Sequence, residues 1–197
     1  MALNLAQIAK EEPKKTSIPR LGDGTYMARV ASVVDFGVQK QTDWKTGAEI
    51  DPKPTVMITF QVPSESVEIE DSETGEKRTV PRFIGKEYTL STFERSNLMK
   101  MVTAVAPGIQ SLEELLNKSV MIQVGSTSTG NAKIKEVMAC PKGMEVGDLT
   151  MDAVYFDFSF PNKELFDSLP QWQQDRVTSA LNWKGFSEDD ASPESKF

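Results

Sequence analysis

A lone tryptophan in a polar stretch is the first feature with chemical potential. From Val38 to Pro54 the chain reads VQKQTDWKTGAEIDPKP, which sets Trp44 among Lys40, Lys45 and Lys53 with no apolar residue next to it. Single-stranded nucleic acid needs that combination: a base stacked on an aromatic face contributes about 1–3 kcal/mol, and ammonium groups neutralise phosphates. The other use for Trp44 is packing, folded back over the end of the domain. A second cluster comprises Arg78, Arg82, Phe83, Lys86 and Tyr88, the last four within RFIGKEY. If that segment is a strand, its cations and aromatics fall on both faces. One face has to be interior, so either Phe83 or the set Ile84, Tyr88 and Leu90 is core, and Phe83 is placed outward. Lys133 and Lys135 flank Ile134, either lining the same groove or standing on a solvated face. The Gly/Ser/Thr stretch Gly125–Asn131 offers hydroxyl and amide groups to a ligand backbone, or is an ordinary turn.

Composition removes other chemistries. The 197 residues contain no histidine, which excludes Ser-His-Asp and Cys-His catalysis, His-ligated zinc and histidine proton shuttles. A carboxylate-and-magnesium nuclease needs only Asp and Glu, but the acids form no recognisable constellation. GK[ST] and GxGxxG phosphate cradles are lacking. The expectation is a protein without catalysis, metal or cofactor. The single Cys140 excludes an internal disulfide framework and fits a reducing compartment. No apolar run approaches the ~20 residues of a membrane span, and MALNLAQIAKEEPKK lacks the apolar core of a secretory signal.

The net charge of −7 argues against a polyanionic partner until it is mapped. Ser64–Lys77 carries six acids and one lysine (−5), and Phe186–Phe197 four acids and one lysine (−3), so the rest of the chain stands at +1 (−7 less −5 and −3). The body is near neutral and can hold a basic groove.

These side chains need elements to hold them. Residues 1–21 form an arm broken by Pro13 and Pro19 and basic at Lys14, Lys15 and Arg20. The stretch TYMARVASVVDFG alternates as a strand, with Tyr26, Ala28, Val30, Val34 and Phe36 on one face. TVMITFQV is a second strand, with Val56, Ile58, Phe60 and Val62 alternating with Met57, Thr59 and Gln61. An acidic loop over 64–77 precedes the third, VPRFIGKEYTLS. The period then becomes helical: Ser91 and Glu94 have capping-box spacing ahead of Leu98, Met101, Val102 and Val105, and Pro107-Gly108 ends the run. Ser111 and Glu114 repeat the box. SVMIQVG and AKIKEVM are strands four and five, the latter directing Ile134 and Met138 inward. A helical stretch over 162–183, interrupted near Pro170, presents Phe166, Leu169, Trp172, Val177 and Leu181. The order strand, strand, strand, helix, strand, strand is that of an OB-fold, a five-stranded Greek-key barrel with a helix between strands three and four. The domain spans 22–160, followed by a C-terminal helical extension over 161–185 and a flexible acidic tail over 186–197.

GTYMARVASVVDFGVQ, PRFIGKEYTLSTFERSNLMKM, the NKSVMIQV strand and NAKI together resemble the OB-fold single-stranded DNA-binding proteins of tailed bacteriophages, enterobacterial phages among them. The similarity runs from about Gly22 to Gly143. It implies sequence-independent coating of single-stranded DNA during phage replication or recombination, in the cytoplasm of the infected bacterium, without cofactor or catalysis. The contacts it implies are Trp44, Lys45, Arg82, Phe83, Lys86 and Tyr88. The tail SEDDASPESKF also resembles the C-termini of bacterial single-stranded DNA-binding proteins, which dock on replication and repair enzymes through acids and a terminal proline-phenylalanine. Asp189, Asp190 and Phe197 match that plan, and Lys196 departs from it. The competing class is a non-enzymatic protein-interaction or structural β-barrel, a virion or regulatory component that binds no DNA, suggested by the net charge and the two acidic stretches.

Overall fold

The computed structural model describes residues 20–43, 45–70 and 75–186, so the arm up to residue 19, Trp44 and the tail with Asp189, Asp190 and Phe197 lie outside the described residues. The protein is mainly β, an open sheet with a few short helices. Strands β1 (Gly24–Thr42), β2 (Glu49–Glu70), β3 (Lys77–Thr89), β4 (Ser119–Ser126) and β5 (Ala132–Ala139) lie in the spatial order β3-β2-β1-β4-β5. All neighbours on that path are antiparallel. The five strands and the helix expected after β3 are present in the expected order. A sixth strand, β6 (Val154–Phe156), pairs parallel to β1 through Ser32, Val33 and Val34. Three residues carry too little periodicity to signal a strand, which is why VYF gives no sequence sign of one.

The main core lies within the curl of the sheet. Val56, Ile58, Phe60 and Val62 are all buried there, as the alternation of TVMITFQV requires, with Val120, Ile122 and Val124 of β4 facing them. β1 departs from simple alternation. Tyr26, Ala28, Val30 and Val33 pack on this core, whereas Val34 and Phe36 belong to a second one on the opposite face. The register against β2 shifts between Val30 and Ser32. One extra residue reverses the parity of every side chain beyond it, so the single apolar face expected from Tyr26 to Phe36 is split between two cores. The same device acts in β5, where a register shift opposite Gln123 and Val124 buries Val137 in place of the expected Met138.

The second core holds the C-terminal segment on the sheet. Helices α2 (Lys163–Ser168) and α3 (Gln171–Thr178) separate at Pro170 as the sequence predicts. Asn162 caps α2, its Oδ1 accepting from the Leu165 N–H at 3.0 Å. Phe166, Leu169 and Val177 are buried against Val34, Phe36 and Phe156, with Phe158, Trp183 and Phe186 packed around them. Trp172 and Leu181, expected on the same buried face, are about half exposed at 53% and 52%. The break at Pro170 restarts the helical phase, so one continuous stripe cannot hold. A salt bridge from Arg176 to Glu87 at 2.8 Å ties α3 to β3.

Helix α1 (Asn97–Val105) packs Leu98, Met101 and Val102 on the main core between the outer strands. Its cap is Ser96, whose Oγ accepts from the Met99 N–H at 3.1 Å. The expected box at Ser91 and Glu94 does not form; the Ser91 carbonyl instead accepts from the Ser96 hydroxyl, so the chain turns before the helix starts. The second box does form around the short 3₁₀ helix Leu112–Leu115, where Glu114 accepts from Gln110 and Ser111 N–H groups and Ser111 Oγ from Glu113 N–H.

Most of the expected acidic loop over 64–77 is strand. After a register shift between Val62 and Ser66, β2 resumes pairing with β3 from Ser66↔Pro81 to Glu70↔Lys77. Alternating Val67 and Ile69 supply β-favouring side chains between the glutamates. The connection from β5 to β6 is strapped to the sheet by the buried Gln61 and the part-buried Arg29. Gln61, 0% exposed, donates to the Asp148 carbonyl and accepts from the Thr150 N–H and hydroxyl. Arg29 donates to the carbonyls of Asn117, Val146 and Gly147.

Candidate nucleic-acid interface

The free edges of the open sheet, β3 and β5, approach each other. No strand ladder joins them among the described residues, and Lys86 spans the gap, its Nζ donating to the Lys135 carbonyl at 3.0 Å. Tyr88, Ile84 and Lys86 share the inward-facing parity of β3, but Lys86 lies at the unpaired seam, where its ammonium reaches the other edge. Burial lowers the Lys86 pKa, Lys133 nearby lowers it further, and Glu136 opposes both. A carbonyl acceptor and a π-face partly compensate a cation held out of water; the Tyr88 ring lies 5.2 Å below Lys86 Nζ.

The β5 irregularity shapes the same seam. The shift places Lys135 and Glu136 together on the exposed side, between buried Ile134 and Val137. Lys135 lies across Gly125, where a Cβ would stand 2.7 Å from its Cε. Lys133 and Lys135 are both exposed while Ile134 is buried, as their positions in the sequence suggest.

Two grooves open along the seam. The first, about 390 Å³, is lined by Lys86, Tyr88, Lys100, Gln123, Lys135 and Glu136 among others, with Lys100 supplied by α1. The second, about 640 Å³, is lined by Arg20, Arg82, Phe83, Ile84, Asn131 and Ala132 among others. Arg20 is fixed there by donating to the Gly130 carbonyl at 2.7 Å. Lys86, Lys100 and Lys135 line the first groove and Arg20 and Arg82 the second, while Lys133 lies near enough to Lys86 to lower its pKa, so all six cations border the seam of β3 and β5. The loop beside it is a closed turn: Thr127 N–H donates to the Asn131 carbonyl and Gly130 N–H to that of Thr127, with Gly130 at φ +74°. Its side chains bond one another, Asn131 N–H donating to Thr127 Oγ1 and Asn131 Nδ2 to Thr129 Oγ1. It borders the groove as a hydrogen-bonded turn.

The expected site residues therefore divide. Arg82, Lys86, Lys133 and Lys135 come together at the seam. Phe83 points outward, 42% exposed, and borders the second groove. Tyr88 does not present a stacking face. It is 4% exposed, packed in the main core, and its hydroxyl has no hydrogen-bond partner among the described residues. Burial pushes its phenol far above the usual pKa. Its parity with Ile84 determines this, because the two ride the same face of β3. Arg78 is exposed on the far part of the β2–β3 hairpin, paired in register with Ile69. Lys40, Lys45 and Lys53 line neither seam groove; Lys40 and Lys53 stand where β1 and β2 leave and rejoin their connection, and Lys40 lies 4.0 Å from Glu49. Asp43 Oδ1 accepts from the Lys45 and Thr46 N–H groups, which holds the connection as a tight turn and lowers the Asp43 pKa. Lys100 is a groove-lining cation that sequence reasoning missed, since its nearness to the seam exists only once α1 is packed.

Among the described residues no group of three His, Cys, Asp or Glu side chains converges as a metal site, and no helix is long and apolar enough to cross a membrane. No protein-family model, curated protein or solved structure matches the chain.

Proposed function

We propose that this protein binds single-stranded DNA without sequence specificity, through an OB-fold whose β3–β5 seam carries the phosphate track. The observation that supports it best is the set of Arg20, Arg82, Lys86, Lys133, Lys135 and Lys100 bordering the seam on a chain whose net charge is −7. Cations gathered along one seam of an acidic protein are what a polyanion requires, and they read backbone rather than sequence. Three features support the OB assignment: the order β3-β2-β1-β4-β5, the approach of β3 to β5, and α1 lying between β3 and β4 in sequence and packing on β5. The setting of phage replication or recombination, in the cytoplasm of an infected bacterium, rests on the sequence resemblance alone. So does docking of replication or recombination proteins by Asp189, Asp190 and Phe197.

The test is fluorescence anisotropy of a labelled oligo-dT with the full chain. Binding at low salt that weakens steeply as salt is added supports the proposal. Absence of binding at low salt refutes it and leaves the interaction-barrel class.

A further inference from the structure

Beside the seam, on the outer face of the sheet, lies a cleft of about 430 Å³ with walls from two separate parts of the chain. It is lined by Met57 and Thr59 of β2, Phe83 and Gly85 of β3, and Leu169 and Trp172 of the α2–α3 segment, among others. Gly85 keeps the lining open, since a Cβ there would stand 2.8 Å from Met57 Sδ. Trp172 is 53% exposed yet fixed: its ring meets the fully buried Phe36 edge-on, centroids 6.2 Å apart and planes at 71°. Phe83, in the same lining, is 42% exposed. Phe83 and Trp172 are thus two large, part-exposed rings bordering one apolar cleft.

We infer that this cleft is a base-stacking clamp, in which Phe83 and Trp172 hold a nucleobase of the strand whose phosphates lie on the seam. The inference rests on the single-stranded-DNA reading above. Phe83 lines both the cleft and the cationic groove, so a strand following the cations brings a base to this ring. An aliphatic peptide side chain would satisfy the apolar walls equally, but only a nucleic acid uses both halves of the Phe83 surroundings. The clamp carries few polar groups, Asp152 being its one charged lining residue, which suits stacking on any base rather than reading its edge. Trp172 thus gives the C-terminal helical segment a share in the binding site.

The test combines variants with photocrosslinking on the full chain. Phe83→Ala and Trp172→Ala are each expected to weaken oligo-dT binding about fivefold or more, with Trp172→Phe restoring most of it. An oligonucleotide containing iododeoxyuridine is expected to crosslink within Phe83–Lys86 and Glu164–Arg176, each released as one tryptic peptide. Crosslinking needs no substitution, so it decides the matter even if Trp172→Ala fails to fold. Wild-type affinity in both alanine variants with crosslinks elsewhere would overturn the clamp and leave the DNA reading standing. A change in self-association with unaltered DNA affinity would also overturn it, in favour of a second copy as occupant. Failure of the wild-type chain to bind any oligonucleotide would overturn both.

Discussion

Removing Lys133 and Lys135 together should change how DNA binding responds to salt while leaving the fold intact. Both side chains are exposed on β5, and among the described residues the one hydrogen bond made by either ammonium is a long one, Lys135 Nζ to the Ser126 carbonyl at 3.4 Å. Substitution by glutamine keeps the stem of Lys135 over Gly125 and removes two charges. For single strands each neutralised phosphate contributes about 0.7 to the slope of log affinity against log salt. If Arg20, Arg82, Lys86, Lys100, Lys133 and Lys135 each meet one phosphate, the wild-type slope is about −4, and affinity falls about 300-fold between 50 and 200 mM salt. The double variant should show a slope near about −3 and a fall of about 50-fold over the same range. The assay is anisotropy of labelled oligo-dT at four salt concentrations, with a thermal melt of each protein alongside. An unchanged slope with unchanged melting would refute the placement of phosphates on β5, wherever else the strand binds.

Two further substitutions probe the surroundings of the site. Tyr88→Phe deletes a buried hydroxyl without a partner among the described residues, whose desolvation costs about 1–3 kcal/mol; the variant should melt at or above the wild-type temperature and bind oligo-dT equally well, whereas a tenfold loss of affinity would return Tyr88 to the interface. Asp35 has its pKa raised above 3.8, chiefly by burial and further by Asp157, against the lowering effect of the Gly37 N–H. A raised folded pKa contributes stability in full below pH 3.8 and loses it as pH rises through the folded value, so the ionised group is a cost at neutral pH. Asp35→Asn keeps an acceptor for Gly37 and should raise the melting temperature at pH 7 but not at pH 3.5; an equal effect at both would show that titration is not the cause.

How much could be read from the chain varies with the physical signal. Within β2 the stretch TVMITFQV alternates without interruption, and its buried set Val56, Ile58, Phe60 and Val62 follows directly from period two. β1 and β5 alternate equally well on paper, but single extra residues near Ala31 and Lys135 shift their parity, and no residue type announces a bulge. The glutamate-rich segment looked like a solvated loop by charge, although its Val67 and Ile69 keep strand spacing. At the candidate site, the exposure of Lys133 and Lys135 is legible because they flank a buried isoleucine. Lys100, Arg20 and Trp172 were not grouped with them, since the surfaces they share are assembled by α1, the β4–β5 turn and the second core, contacts distant in sequence. Tyr88 illustrates the limit of residue type: a tyrosine beside lysines suggests stacking, and one step of parity puts it in the core.

A residue-resolved footprint tests the central proposal most directly. Lysines of the full chain would be labelled with an amine-reactive reagent with and without saturating oligo-dT, and again with a duplex of equal length, and quantified by peptide mass. Lys100, Lys133 and Lys135 should be protected by the single strand and far less by the duplex, with Lys53 and Lys163 unaffected by either. Uniform labelling in the presence of oligo-dT, or protection centred on Lys40 and Lys53, would contradict a single strand lying along the β3–β5 seam.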